Sequence, residues 1–233
     1  RPCRRARRRA KSAVSAGTEA APTGFRDPKV LLPFLLITLI WSSTWIVIKD
    51  QLAGGVPPVW SVAYRFLIAG AAMLAIGRAA GVPLELDARG HRLALLLGLL
   101  QFVLNYNFVY AAEIYITSGL VAVLFALLIV PNAGLARLCF GEPVSGRFAL
   151  GSAVALAGVA LLFAQEMRHS QAPPAAVLAG IGLSLLAVLA ASISNVMQLS
   201  VGMKARPVAA MLGWAMLYGG IADGLFAWAT EGP

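Results

Sequence analysis

The sequence predicts an all-α protein, a polytopic bundle of helices that cross a membrane, and three observations carry that reading. Hydrophobic residues make up 59% of the 233, charged residues only 12%, and the mean hydropathy is +0.79. A soluble domain carries about a quarter charged residues, so this chain lacks the polar surface to face water on all sides. Its apolar residues also run in continuous stretches rather than amphipathic stripes, and seven of these reach the ~20 residues a spanning helix needs.

The stretches are Val30–Ile48, Pro58–Gly77, Leu93–Ala112, Tyr115–Leu135, Phe148–Gln165, Ala176–Leu199 and Val208–Ala229. Links as short as Glu113–Ile114 force consecutive helices to run antiparallel. Net charge is +9, and nine of the 19 Lys and Arg residues precede residue 30. With a cytoplasmic N-terminus, the inside links hold seven basic residues (Arg78, Arg89, Arg92, Arg137, Arg147, Lys204, Arg206). The outside links then hold two, Lys49 and Arg168. This bias places the N-terminus inside. The charge therefore serves orientation at the lipid bilayer, and no nucleic-acid partner is expected because no recognition motif accompanies it.

The opening Arg-, Ala- and Ser-rich segment loosely fits an organelle transit peptide. The simpler reading is a basic, disordered cytosolic tail over residues 1–29, or an upstream extension from a fragmentary gene model, and no function is expected before Phe25. Cys3 and Cys139 lie far apart and the two histidines fall in links, so neither a metal site nor a disulfide framework is expected. No cofactor is expected either. The chain has no GxSxG elbow, HExxH, Walker loop or paired catalytic acids, and the reading is not an enzyme.

A shift of about 150 residues lays Leu39-Ile40-Trp41-Ser42-Ser43-Thr44 over Leu189-Ala190-Ala191-Ser192-Ile193-Ser194. With a slip of one residue, Pro58-Val59 meets Pro207-Val208 and Gly70 meets Gly219. Five helices precede the Pro173-Pro174 link, and a unit with an odd number of helices re-enters the membrane in the opposite sense. The expected organisation is a first five-helix unit over 30–165 and the first two helices of a second unit over 174–233. By that reading three helices are missing from a C-terminally truncated chain.

Candidate functional residues are polar side chains at membrane depth. In the first helix, Trp41, Ser42, Thr44 and Trp45 sit mid-membrane; hydroxyls can bond their own backbone turn, but an indole N–H needs a partner in lipid. Lys49 reads as an anchor whose ammonium reaches the interface. Arg65 lies deeper than such anchoring handles easily, and serves either as counter-charge to an anion or in a bond to backbone carbonyls; the structural role is favoured. The third helix carries Gln101, Asn105, Tyr106, Asn107, Tyr110 and Glu113, with Asn105 one turn from Gln101 and Tyr110 one turn from Tyr106. Lipid satisfies none of these groups, so they face another helix or a hydrated path. Asn195 and Gln198 repeat the pattern in the sixth helix, Pro131 permits a bend in the fourth, and the role of Asp223 is open.

These residues resemble the EamA-type members of the drug/metabolite transporter superfamily. Ile40-Trp41-Ser42-Ser43-Thr44-Trp45-Ile46-Val47-Ile48-Lys49 is similar to that family's W-G-S-x-x-x-x-x-K first helix, with Ser42 in place of Gly. Arg65-Phe66 resembles its second-helix R-F, and Ala111-Ala112-Glu113-Ile114-Tyr115-Ile116-Thr117-Ser118-Gly119 its link into the fourth helix. Pro131, Gly141-Glu142-Pro143 and the pair Gly151 and Gly158 match its fourth-helix proline, its loop and its fifth-helix glycines. The resemblance implies ten helices in two inverted halves, a central cavity and alternating access. The expectation is a secondary transporter of the cell inner membrane that exports a small-molecule substrate, amino-acid-like or amphipathic. Trp41, Ser42, Thr44, Trp45, Asn105, Tyr106, Tyr110, Asn195 and Gln198 would line its path, with Arg65, Pro131 and Glu142 acting in the conformational change. The competing expectation is a non-transporting membrane scaffold, in which the same polar stripes bind neighbouring helices and stay dry.

Overall fold

In the computed structural model, seven helices among the described residues, 27–169 and 172–232, are long and apolar enough to cross a membrane. They are Val30–Ala53, Pro58–Ala79, Ala88–Tyr115, Ser118–Phe140, Gly146–Arg168, Pro174–Gln198 and Val208–Thr230, called spans 1 to 7 below. Every regular element among the described residues is helical. Residues 1–26 of the tail expected over 1–29 lie outside the described residues, and its last two, Pro28 and Lys29, already belong to the first helix.

The chain divides within span 1 into two compact units, Arg1–Thr44 and Trp45–Pro233. In the first unit, the helix turns outward an apolar series that includes Leu32, Leu36 and Leu39. Its hydroxyls bond to their own helix: Thr38 donates to the Phe34 carbonyl, Ser42 to Thr38, and Thr44 to Ile40, at 2.7–2.8 Å.

The second unit has an apolar core, but it also buries several polar side chains and leaves large apolar ones outside. Glu113, Ser184, Ser192, Ser194 and Asp223 are fully buried, whereas Leu138, Leu161 and Ile68 are largely exposed. Hydrocarbon around the helices explains the arrangement, because it accepts leucine outside and forces polar groups to find partners inside.

Spans 2 and 7 pack antiparallel along their length, and small residues set the approach. A Cβ added to Gly213 would stand 2.5 Å from Leu74 Cδ2, and one on Gly220 would stand 2.9 Å from Leu67. Small-residue contact replaces the hydrophobic drive that lipid does not supply. Span 3 meets span 7 through Gly98, where an added Cβ would lie 2.5 Å from the Ala215 carbonyl oxygen.

Span 3 runs longer than the hydropathy pattern indicates and is not uniform. It begins at Ala88, capped by the Asp87 carboxylate accepting from Gly90 N–H at 3.0 Å. Gly98–Leu104 is a π-helical stretch, and α-helix resumes at Asn105–Tyr115. Glu113 therefore lies inside the helix, and the link into span 4 is Ile116–Thr117 rather than Glu113–Ile114. Span 4 is interrupted between Ala126 and Ile129. The break sits one turn before Pro131, which has no N–H to give the Leu127 carbonyl and whose ring crowds that turn. Gly141 ends the span with φ 73°, a left-handed cap suited to glycine.

Candidate functional site

Polar residues of spans 3 and 6 meet in a seam. The Asn105 carboxamide donates to the Ala187 carbonyl at 2.8 Å. One turn earlier, the Ser194 hydroxyl shares its one proton between the Gln101 side-chain oxygen and the Ala191 carbonyl. Gln198 donates to the Ser194 carbonyl at 3.3 Å, and both Gln198 and Asn195 are half-buried. The Ser192 hydroxyl is buried without a partner. The π-helical stretch contributes to this arrangement, since it carries Gln101 and ends immediately before Asn105; such bulges accumulate at functional positions.

Arg65 lies beside the same part of span 3. Its guanidinium carbon is 5.7 Å from the Tyr106 ring centroid and 5.8 Å from that of Tyr110. The ring faces supply the electrostatic partner expected from an anion or a carbonyl. Tyr110 is buried, and its hydroxyl donates to the Gln51 side-chain oxygen at 2.7 Å. The Tyr106 ring meets Phe66 edge-on at 4.6 Å, and Trp45 packs on Phe125 at 5.2 Å. Trp41, Ser42 and Thr44 belong to the other unit: Trp41 is 67% exposed, and the two hydroxyls are bonded within their own helix.

At the end of span 3, the Lys49 ammonium donates to the Glu113 carbonyl at 2.7 Å, beyond the anchoring role read from the sequence. The two residues border a cavity of about 450 Å³ whose wall is completed by Leu52, Val56, Pro57 and Ile114. Both Glu113 carboxyl oxygens are buried without a partner. Asp223, in span 7, accepts from the Asn107 amide at 2.6 Å and is likewise fully buried.

The opposite end of the unit carries a polar clasp between the start of span 3 and the approach to span 7. Arg206 Nη2 lies 2.6 Å from Asp87 Oδ1, and Arg206 Nη1 donates to the Gly202 carbonyl. The hydrogen bond from Arg206, aided by Gly90 N–H and the guanidinium charge, holds the Asp87 carboxyl below its usual range. Tyr218 Oη is 2.8 Å from His91 Nδ1, and the Trp214 indole donates to the Leu84 carbonyl at 3.0 Å.

The structure thus bonds Asn105 to Ala187 across the seam, leaves Asn195 and Gln198 half-buried on span 6, and sets Tyr106 and Tyr110 around Arg65. It places Pro131 beside the break in span 4 and Glu142 exposed in the link after it. Sequence reasoning missed the clasp: Asp87 before a helix signals an N-cap, but nothing local pairs it with Arg206, 119 residues away. Among the described residues, no three His, Cys, Asp or Glu side chains converge to hold a metal ion.

A family model described as the EamA-like transporter family matches residues 29–164. Protein PagO of Salmonella typhimurium is 24% identical over 101 residues, which are 43% of this chain. The match spans 33% of that relative's length. No solved structure matches the chain.

Proposed function

Because the chain belongs to the EamA-like transporter family, we propose that it is a secondary transporter exporting small amino-acid-like or amphipathic metabolites by alternating access. The observation that carries this reading is the seam of spans 3 and 6. Across it Asn105 reaches the Ala187 carbonyl and Gln101 meets Ser194, each through one hydrogen bond that water or a polar cargo can replace. Half-buried Asn195 and Gln198 are read as extending the seam along span 6, and Tyr106 and Tyr110 around Arg65, with Trp45 on Phe125, as further lining residues. For Trp41, Ser42 and Thr44 the lining role rests on their place in the sequence and on the resemblance.

An inverted repeat of five-helix units would make spans 2 and 7 equivalent. Their close antiparallel pairing through Gly70, Gly213 and Gly220 supports that organisation. Arg65, held by aromatic faces rather than by an ion pair, can exchange partners as the halves move. The broken span 4 at Pro131 gives a second place to bend, with Glu142 at its end. The bias in basic links favours an inner-membrane protein with its N-terminus in the cytoplasm.

The scaffold reading has its own observation: Asn105 is 3% exposed and Ser194 is 0% exposed, so both are dry in this conformation. Reconstitution separates the two. The full-length gene product in liposomes should accelerate counterflow of labelled amino acids or amphipathic amines over empty liposomes, and Asn105→Leu should slow it. Well-inserted protein that moves none of these compounds would leave the scaffold.

A further inference from the structure

Span 7 carries a carboxylate that the transport reading leaves unused. Asp223 is 0% exposed and stands about two turns before the end of the helix. Its Oδ1 accepts from Asn107 Nδ2 at 2.6 Å; its Oδ2 is buried without a partner. An ionised carboxylate offers about four acceptor positions, and one amide donor leaves it badly under-bonded in a medium where unpaired charge is costly.

No neighbouring element supplies a counter-charge. In span 2, Arg65 faces the rings of Tyr106 and Tyr110, while Tyr64 is exposed and Arg78 lies at the far end. In span 3, Arg89, His91 and Arg92 lie in the first turns, where His91 meets Tyr218, the remaining titratable group of span 7, and Glu113 and Tyr115 lie at the far end with Lys49. Span 6 has no titratable residue. The charge has to be met by an ion from solution.

The packing selects which ion. A metal cation takes several oxygen ligands, six or more for calcium, and here one carboxylate and one amide converge. There is also no room for a hydrated ion between the helices. A Cβ on Gly219 would stand 2.8 Å from Phe102 Cβ, and one on Gly220 would stand 2.9 Å from the Leu67 backbone nitrogen. A proton needs no such space.

The amide that meets Asp223 has a second partner, the Val103 carbonyl of the π-helical stretch, at 2.9 Å. Asn107 therefore ties span 7 to the irregular part of span 3. A charged acceptor makes a hydrogen bond roughly twice as strong as a neutral one, so neutralising Asp223 loosens the tie. Release of the bulge would turn Asn105 and Tyr106, which follow it, relative to the first half of the span.

We propose that Asp223 is a proton-binding site that controls the register of span 3: ionised, it holds Asn107 and the π-helical stretch firmly; protonated, it holds them more weakly. The link from this switch to cargo movement rests on the transport reading, but the switch itself does not.

The test uses the purified full chain in detergent, with a hydrophobic carbodiimide, which reacts with protonated buried acids. Modified peptides are mapped across pH. Label at Asp223 should rise as pH falls, vanish in Asp223→Asn, and increase several-fold at a given pH in Asn107→Leu, which lacks the donor favouring the charged form. Backbone hydrogen exchange over 98–104, corrected for intrinsic rates, should quicken at low pH in the wild type and be fast at every pH in Asp223→Asn. An unlabelled Asp223 at every pH, protection by sodium ions, or exchange identical in wild type and Asp223→Asn would overturn the proposal. If Asp223→Asn does not fold, the wild-type and Asn107→Leu labelling curves decide. Neither readout needs cargo, so a chain that passes both and transports nothing contradicts the transport reading alone.

Discussion

The Asn105 side chain donates to the carbonyl of Ala187, 82 residues away, at 2.8 Å, and so joins the third span to the sixth at membrane depth. The Ala187 oxygen still has its own helix to bond, so the interaction is an addition to a satisfied backbone. Interhelical bonds of this kind average ~0.6 kcal/mol in lipid, with a maximum near ~1.7. Asn105→Leu should therefore lower stability by about that amount in a denaturant titration of the detergent-solubilised protein, while its transport rate falls much further. An equal loss in both would make the side chain purely structural.

Close helix contact predicts a sharp contrast between glycines. A side chain at Gly98 would begin 2.5 Å from the Ala215 carbonyl oxygen, which is backbone and cannot swing away, whereas Gly151 opens onto free space. Gly98→Val should destabilise by about 1–3 kcal/mol or more, as overpacking does. Gly151→Val should leave the melting temperature nearly unchanged. Similar melting temperatures for the two variants would contradict the packing of spans 3 and 7.

The clasp between Asp87 and Arg206 predicts acid sensitivity with a definite sign. Arg206 depresses the folded-state value of Asp87 below its ordinary 3.8. The stabilisation is therefore fully present above that ordinary value and is lost as pH falls through the depressed one. Acidification should loosen the Asp87 end, seen as faster proteolysis of the Ala80–Asp87 link. Asp87→Asn should cleave faster at neutral pH and respond less to acid. Because Asp87 is exposed, the effect should also weaken with added salt.

At the other end, the Glu231 carboxylate accepts from the backbone N–H groups of Val59 at 3.0 Å and Trp60 at 3.1 Å, capping span 2 from the end of span 7. The Trp60 indole adds a bond to the Gly232 carbonyl at 2.8 Å. Loss of a helix cap costs about 0.5–2 kcal/mol. Glu231→Ala should destabilise within that range and change the Trp60 fluorescence, and Glu231→Gln should do less of both because it keeps one acceptor.

Much of the fold was legible because hydrocarbon demands long apolar runs, and seven such runs are plain in the sequence. Their ends were less so, because charge is an ambiguous boundary. Lys49 read as the end of a helix that in fact continues to Ala53, and Glu113 read as a link although it is buried inside span 3. The π-helical stretch at Gly98–Leu104 has no periodic signature and could not be anticipated. For the site, the amide-rich stripes were visible, but their partners depend on tertiary register. Nothing local pairs Gln101 with Ser194 or Asn107 with Asp223, and nothing local directs Arg65 to two tyrosine rings.

The central claim is that the seam between spans 3 and 6 opens to water, and thiol accessibility at Asn195 tests it most directly. Cys3 and Cys139 are replaced by Ser, Asn195→Cys is introduced, and Ile193→Cys on the exposed apolar face of span 6 serves as control. A membrane-impermeant thiol reagent added to either side of sealed vesicles should modify the residue at 195 far faster than the control, from each side in turn as conditions shift the conformer. No modification at 195 from either side, in a well-inserted protein, would contradict the account.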